Sequence, residues 1–292
     1  MLHSVTQDLV SARDVPNLNW SGKVFLWQDQ ALFIGRASET SLHSSPGIKI
    51  CISLEGVFGL RTNSRAPWQS FCSAMIAPGQ LHAIDGRGKQ IALLIIAPEA
   101  RMAQPLAPIY TRQSISELKP GIVQEMFSLF GNFNQADGIE IDPFSICQQM
   151  LKSIRKPLVP IVDSESILDP RVSRTVELLR EETERAFSIG EIAAHVDLSE
   201  SRFSHLFSDQ LRVSPRRYLL WLRLREALQL LSCGASVTYA AHGAGFADSA
   251  HLARTFRGML GISATSLIRQ SSIISGGEIT AATRATCNSM LR

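Results

Sequence analysis

The stretch Leu198-Ser-Glu-Ser-Arg-Phe-Ser-His-Leu-Phe207, followed by Leu211-Arg-Val-Ser-Pro215, is written a second time in altered form. The second copy is Phe246-Ala-Asp-Ser-Ala-His-Leu-Ala-Arg-Thr-Phe256, followed by Leu260-Gly-Ile-Ser-Ala264. Each copy comes after a segment of small residues, Ile189-Gly-Glu-Ile-Ala-Ala194 and Val237-Thr-Tyr-Ala-Ala241. A repeat of short helix, tight turn and second helix predicts two helix-turn-helix units in tandem. Such units set one helix into a DNA major groove.

Local signals support that reading. Ser188 precedes Ile189 with Glu191 three residues on, the capping-box spacing. The small Ala193 and Ala194 let a second helix pack closely. Ser199 caps that helix, whose Phe203, Leu206 and Phe207 face inward. Ser214 and Pro215 open a long helix through Tyr218, Leu222, Leu224, Ala227, Leu228 and Leu231, stopping at Cys233-Gly234. At 1.5 Å per residue it is a rod of roughly 25 Å. That length suits a spacer holding two recognition helices about one DNA turn, roughly 34 Å, apart. Ser236 caps the second unit, Gly243 and Gly245 allow its turn, and its recognition helix spans about 248–258.

The chain has 292 residues, 45% of them apolar, enough for two cored domains. Its formal charge of +3 is only mildly basic, but the distribution is uneven. Residues 200–270 hold nine Arg against four acidic residues, and no Lys follows Lys156. Guanidinium forks bind phosphate and guanine edges bidentately, which an ammonium cannot do. The five Cys (51, 72, 147, 233, 287) form no C-x-x-C pair, a pattern expected of reduced, buried thiols. No signal-peptide core or membrane-length apolar run is present, so a cytoplasmic location and no membrane partner are expected.

Residues 20–98 carry short β-rich runs broken by Ser45-Pro-Gly47, Glu55-Gly56, Ala77-Pro-Gly79 and Asp85-Gly86. Strands at such spacing predict a small sandwich or barrel. Helical stripes follow at Ile122, Met126, Leu129, Phe130 and Phe133, and at Phe144, Cys147, Met150, Leu151 and Ile154. Three prolines within 157–170 mark a linker, and 272–292, rich in Ser, Thr, Gly and Ala, read as a disordered tail. The expected fold class is α+β. Residues 1–156 form a sensing and dimerisation domain, and 171–271 an all-α domain of two helix-turn-helix units joined by a long helix.

The stretch from about 173 to 270 resembles the AraC/XylS family of transcriptional regulators. The resemblance rests on Ile192-Ala-Ala194, Leu198-Ser199, Phe207, Ser214-Pro-Arg-Arg-Tyr218, Leu222-Arg-Leu-Arg-Glu-Ala227, Leu230-Leu231, Gly245-Phe246, His251-Leu252, Phe256 and Gly261-Ile-Ser263. It implies a sequence-specific regulator, not an enzyme, that binds double-stranded promoter DNA. Base reading falls to Ser201, Arg202, Ser204 and His205 in the first unit, and to Ser249, Ala250, Ala253 and Arg254 in the second. Arg216, Arg217 and Arg257 are the phosphate clamps, which position without specifying. The chain departs from the family pattern at Ala264 for a usual Pro, Leu267 for an aromatic, Ala240 for a larger aliphatic and Asp209 for a basic residue. Those departures predict a second unit that docks more loosely.

The same resemblance implies a cupin-like β-barrel ahead of the helical half, with a small-molecule effector and homodimerisation. RNA polymerase is a further candidate partner. Trp27, Phe33, His43, Phe58, Trp68 and His82 are the candidate effector pocket, and Met126, Leu129, Phe130 and Phe133 the candidate dimer face. Only His3, His43 and His82 precede the linker, with no H-x-H, so no metal or other cofactor is expected. The alternative is a cupin-type enzyme or small-molecule binder whose helical half contacts protein. The irregular linker predicts control of DNA binding through dimerisation and effective concentration.

Overall fold

The apolar runs in residues 20–98 form strands, as their β-branched and aromatic content favours. The computed structural model describes residues 20–134, 142–155, 168–182, 185 and 187–275. The runs give β1 (Ser21–Leu26), β2 (Gln30–Glu39), β3 (Ile48–Ser53), β4 (Phe58–Arg61), β5 (Gln69–Phe71), β6 (Ser73–Ile76) and β7 (Ala83–Ile96). A short α1 (Ala107–Arg112) leads to β8 (Ile115–Ser116), and the two apolar stripes become α2 (Pro120–Asn134) and α3 (Pro143–Arg155). The C-terminal half holds α4 (Pro170–Glu181), α5 (Ile189–His195), α6 (Glu200–Leu211), α7 (Pro215–Ser232), α8 (Val237–Gly243), α9 (Ser249–Leu260) and α10 (Ala264–Gln270). The chain then returns to the sheet as β9 (Ser271–Ser275).

The strand order is β8-β6-β3-β7-β2-β1-β9, with β4 pairing β5 and the start of β7. The path has two ends, so the sheet expected as a cupin-like barrel is open and bent. The bend has a local cause. Register between β2 and β7 shifts between Ala37 and Glu39, and Arg87 (φ 55) and Gly88 (φ 70) turn β7. Gly86 lets the strands touch there: a Cβ would lie 2.3 Å from the Ala37 carbonyl oxygen. Beyond this bulge, residues 83–85 pair with β4, while Asp85 still lies opposite Glu39 of β2.

Strand alternation divides the apolar side chains between two cores. Ile48, Ile50, Ile52, Leu94 and Ile96 pack against α2 and α3. Phe33, Cys51, Leu93 and Ile95 face the other way, into a core continuous with the helical half. Strands covered on both faces read as unbroken apolar runs, which is why residues 91–96 show no polar alternation. The helical half is therefore a third layer of one structure, laid directly on the sheet.

Three expectations are corrected here. Met126 and Phe130 are buried against the sheet, and Leu129 is half-buried on the same core, so they cover their own sheet instead of facing a partner. The Phe133 side chain lies outside the described residues. Residues 272–275 are ordered as β9, parallel to β1, with the Ser271 hydroxyl donating to the Trp20 carbonyl at 3.1 Å. Residues 276–292, like 157–167 of the expected linker, lie outside the described residues. Cys51, Cys72 and Cys147 are free thiols, but Cys233 is disulfide-bonded, against the expectation of reduced cysteines throughout.

Candidate nucleic-acid interface and interdomain cavity

The first helix-turn-helix unit is α5–α6 and the second α8–α9. Ser188 and Glu191 form the reciprocal capping box of α5, and Ser199, Ser236 and Asp248 cap α6, α8 and α9 by accepting backbone N–H groups. Ala193 is buried where the helices cross, whereas Ala194 is exposed. Of the turn residues, Gly245 is left-handed (φ 75) and its counterpart in the first unit is Asp197 (φ 56). Gly243 ends α8 and lies against Leu230; its Cβ would meet that side chain at 3.0 Å.

Phe203 and Phe207 of α6 and Leu252 and Phe256 of α9 are buried, which fixes the opposite faces outward. Ser201, Arg202 and His205 are exposed and Ser204 partly so; Ala250, Ala253 and Arg254 are exposed and Ser249 partly so. Arg216 and Arg257 also lie open to solvent. Arg217 does not. It is half-buried, and its Nη2 donates to the Ser44 carbonyl and, at 2.7 Å, to the Ser44 hydroxyl. It is spent on the contact with the sheet, a correction to its expected phosphate role.

That contact is extensive. The Ser41 N–H donates to the Gly261 carbonyl at 2.8 Å and the Ser44 N–H to the Gly258 carbonyl at 3.2 Å. The β2–β3 connection thus holds the C-terminal end of α9. On the other side, Arg180 of α4 donates to Asp29 at 2.5 Å and to Glu99 at 2.7 Å, and Arg225 of α7 lies 3.7 Å from the same Glu99 oxygen. Glu99 is almost wholly buried, so its two arginines compensate a charge that would otherwise be costly. The two halves are thus in direct contact through hydrogen bonds and ion pairs.

Between sheet and helices lies a cavity of about 90 Å³, walled by Phe33, Leu93 and Ile95 from the strands, Trp221 and Leu228 from α7, and Leu267 from α10. Trp27, Phe33 and His43 line it. Phe58, Trp68 and His82 are not among its lining residues. Phe58 stacks on Phe71 at 6.2 Å, Trp68 lies under the Arg61 guanidinium at 4.3 Å, and His82 is occupied with Lys49.

Lys49 was missed by sequence reasoning. It is 1% exposed and lines the cavity, its Nζ 2.6 Å from His43 Nε2 and 3.1 Å from His82 Nε2. Burial, with Arg217 nearby, lowers its ammonium to about 7. Burial and then Lys49 hold both imidazoles neutral, well below the usual histidine range. Two further polar groups line the cavity unpartnered: the Gln30 amide and the Trp221 indole N–H, 4% and 6% exposed. Among the described residues, no group of three or more His, Cys, Asp or Glu could hold a metal, and no helix is long and apolar enough to cross a membrane.

Residues 192–270 match the family model of a helix-turn-helix domain. Over 105 residues the chain is 31% identical to the HTH-type transcriptional regulator GbdR of Pseudomonas aeruginosa, covering 36% of this chain and 29% of GbdR. It is 24% identical over 118 residues to ArgR of the same organism, covering 40% of this chain and 36% of ArgR. The matched part thus spans about a third of these relatives' length. The fold of the whole chain is similar to ToxT from Vibrio cholerae, at a TM-score of 0.59 and 9% identity, covering 84% of this chain and 98% of ToxT. A ToxT structure with an unsaturated fatty acid bound is similar at a TM-score of 0.51 and 10% identity, covering 83% of this chain and 94% of that one. Residues 192–270 thus form a helix-turn-helix domain, carried on an α+β fold similar to that of ToxT.

Proposed function

We propose that this protein is a sequence-specific, DNA-binding transcription regulator whose DNA affinity responds to a small apolar effector in the interdomain cavity. The observation that carries it is the pair of capped, outward-facing helices α6 and α9, each at the same place in a repeated unit. Arg202 and Arg254 can each present a bidentate fork to guanine O6 and N7, Ala250 and Ala253 an apolar contact to a thymine methyl, and Arg216 and Arg257 a charge to phosphate. The cavity supports the sensing role: it is largely apolar, it lies between the halves, and the Gln30 amide and Trp221 N–H on its wall are unspent. That a ToxT structure holds a fatty acid is in keeping with an apolar effector here.

The role is one of binding, not catalysis. Homodimerisation on adjacent half-sites and contact with RNA polymerase belong to the same proposal. A dimer contact on α2 would use its exposed Phe127, since Met126 and Phe130 are spent inside the subunit. Selection from random duplexes followed by footprinting tests the reading. A recurrent motif protected over one or two helical turns is the expected result; recovery of unrelated sequences would refute it.

A further inference from the structure

We propose that Lys49 is a carbonyl-capture site: its amine condenses with an aldehyde or ketone carried on an apolar body and holds that effector in the interdomain cavity as an imine. This rests on the effector-responsive reading above and names the chemistry of its ligand.

His43 Nδ1 lies 2.9 Å from the Ser41 carbonyl and His82 Nδ1 2.8 Å from the Gln80 carbonyl. A carbonyl only accepts, so each Nδ1 carries the hydrogen and each Nε2 presents a bare lone pair. Both Nε2 atoms face the Lys49 nitrogen, at 2.6 and 3.1 Å. A neutral amine has two hydrogens and one lone pair. With both hydrogens claimed by imidazoles, its lone pair is left over as the nucleophile, on a side chain that lines the cavity.

The surroundings favour that neutral form. The titratable groups around Lys49 are His43, His82, Cys51 and Arg217. The histidines are neutral and burial keeps the Cys51 thiol protonated, while Arg217 adds like charge. Desolvation beside another cation is how a lysine is activated for imine formation. The unpartnered Gln30 amide and Trp221 N–H supply hydrogen bonds to a further polar group on the ligand.

The step balances without an oxidant or reductant. The amine nitrogen attacks the carbonyl carbon, the N–C bond forms, and the C=O π pair moves to oxygen. That oxygen leaves as water with both amine hydrogens, and C=N remains. A neutral imine has no N–H and an iminium has one, so at least one imidazole loses its donor. His43 lies against the residue that closes α9, since a Cβ on Gly261 would come within 2.4 Å of its Nδ1. Capture therefore alters the partner of a ring that packs beside the end of the second recognition helix.

The test uses the full chain with octanal and sodium cyanoborohydride near neutral pH, then peptide mass mapping, with octanoate in parallel. One octyl group on Lys49, formed about tenfold or more faster than on exposed Lys23, is expected because burial lowers the Lys49 ammonium to about 7. Octanoate should neither label nor protect. Lys49→Arg, which keeps a cation and removes the nucleophile, should lose the label at this position. An unlabelled Lys49 beside labelled Lys23 or Lys89 overturns capture. So does full protection by octanoate, which would make Lys49 an anion anchor. DNA binding is scored on the same sample without octanal. Failure to trap octanal in protein that still selects its duplex refutes capture alone, whereas loss of sequence preference refutes the wider reading.

Discussion

Arg212 and Gly261 hold the same place in the two helix-turn-helix units: each follows the second helix and turns left-handed, at φ 59 and φ 76. In each the backbone N–H returns to the carbonyl four residues back, Ser208 in one unit and Arg257 in the other. Glycine adopts this conformation freely; an arginine does so at a steric cost. The second unit thus ends without strain, and the first ends under it.

Replacing Arg212 with glycine should raise stability by about 1 kcal/mol, shifting Tm by about 2–4 °C in a chain of this size. Asp197→Gly, at the equivalent of Gly245, should gain less, because aspartate visits the left-handed region more readily. Calorimetry of the two variants decides it. An unchanged or lower Tm in Arg212→Gly would mean the side chain contributes more than its conformation costs.

The neighbouring arginines of α7 should behave as opposites. Arg216→Ala removes an exposed cation, so it should weaken all duplexes alike and reduce the salt slope of binding by about one. Arg217→Ala cuts the tie to Ser44 and should leave that slope unchanged while loosening the helical half from the sheet. Salt titrations of both, with amide exchange at α9, separate the roles. A slope lowered equally in both would return Arg217 to the phosphate.

At the reading helices, Arg254→Ala should cost roughly 1–3 kcal/mol on one preferred base pair and relax the preference there. Arg257→Ala, on the same helix, should weaken every sequence about equally. Affinities over a panel of single-base variants check both, and a uniform loss in Arg254→Ala would assign that side chain to the backbone.

Stability should depend on pH through the Lys49 cluster. Burial lowers Lys49 from 10.5 to about 7, so between those values the unfolded chain binds the extra proton and stability rises with pH. Below about 7 both states hold that proton and the burial cost stands in full. His43 and His82 are also depressed, so a second loss sets in as pH falls through 6.5, where the unfolded rings gain protons that the folded ones refuse. Lys49→Met should flatten the alkaline limb. Denaturant titrations across that range check it, and an identical alkaline limb in the variant would place the titration elsewhere.

The repeat made the helical half legible because its caps and anchors are local: Ser188, Ser199 and Asp248 act within three residues of themselves. The open sheet was not, since closure depends on a bulge that pairs residues distant in sequence. The cavity was half legible. Trp27, Phe33 and His43 stood out as aromatics or a histidine in strand-rich sequence. Lys49 sat inside Ile48-Lys-Ile-Cys-Ile52, where a charge amid apolar residues was itself the signal. Trp221, Arg225, Leu228 and Gln229 form a second stripe on α7, hidden because that helix is buried on more than one side. A spacer shows one apolar face; a helix shared by two layers shows two.

The central claim, that α6 and α9 read sequence, is tested most directly by titrating the full chain against its selected duplex and a scrambled duplex of equal length over a range of salt. The selected duplex should bind about a thousandfold or more tighter than the scrambled one, with affinity for both falling steeply as salt rises. Equal affinity for the two duplexes at every salt concentration would contradict it.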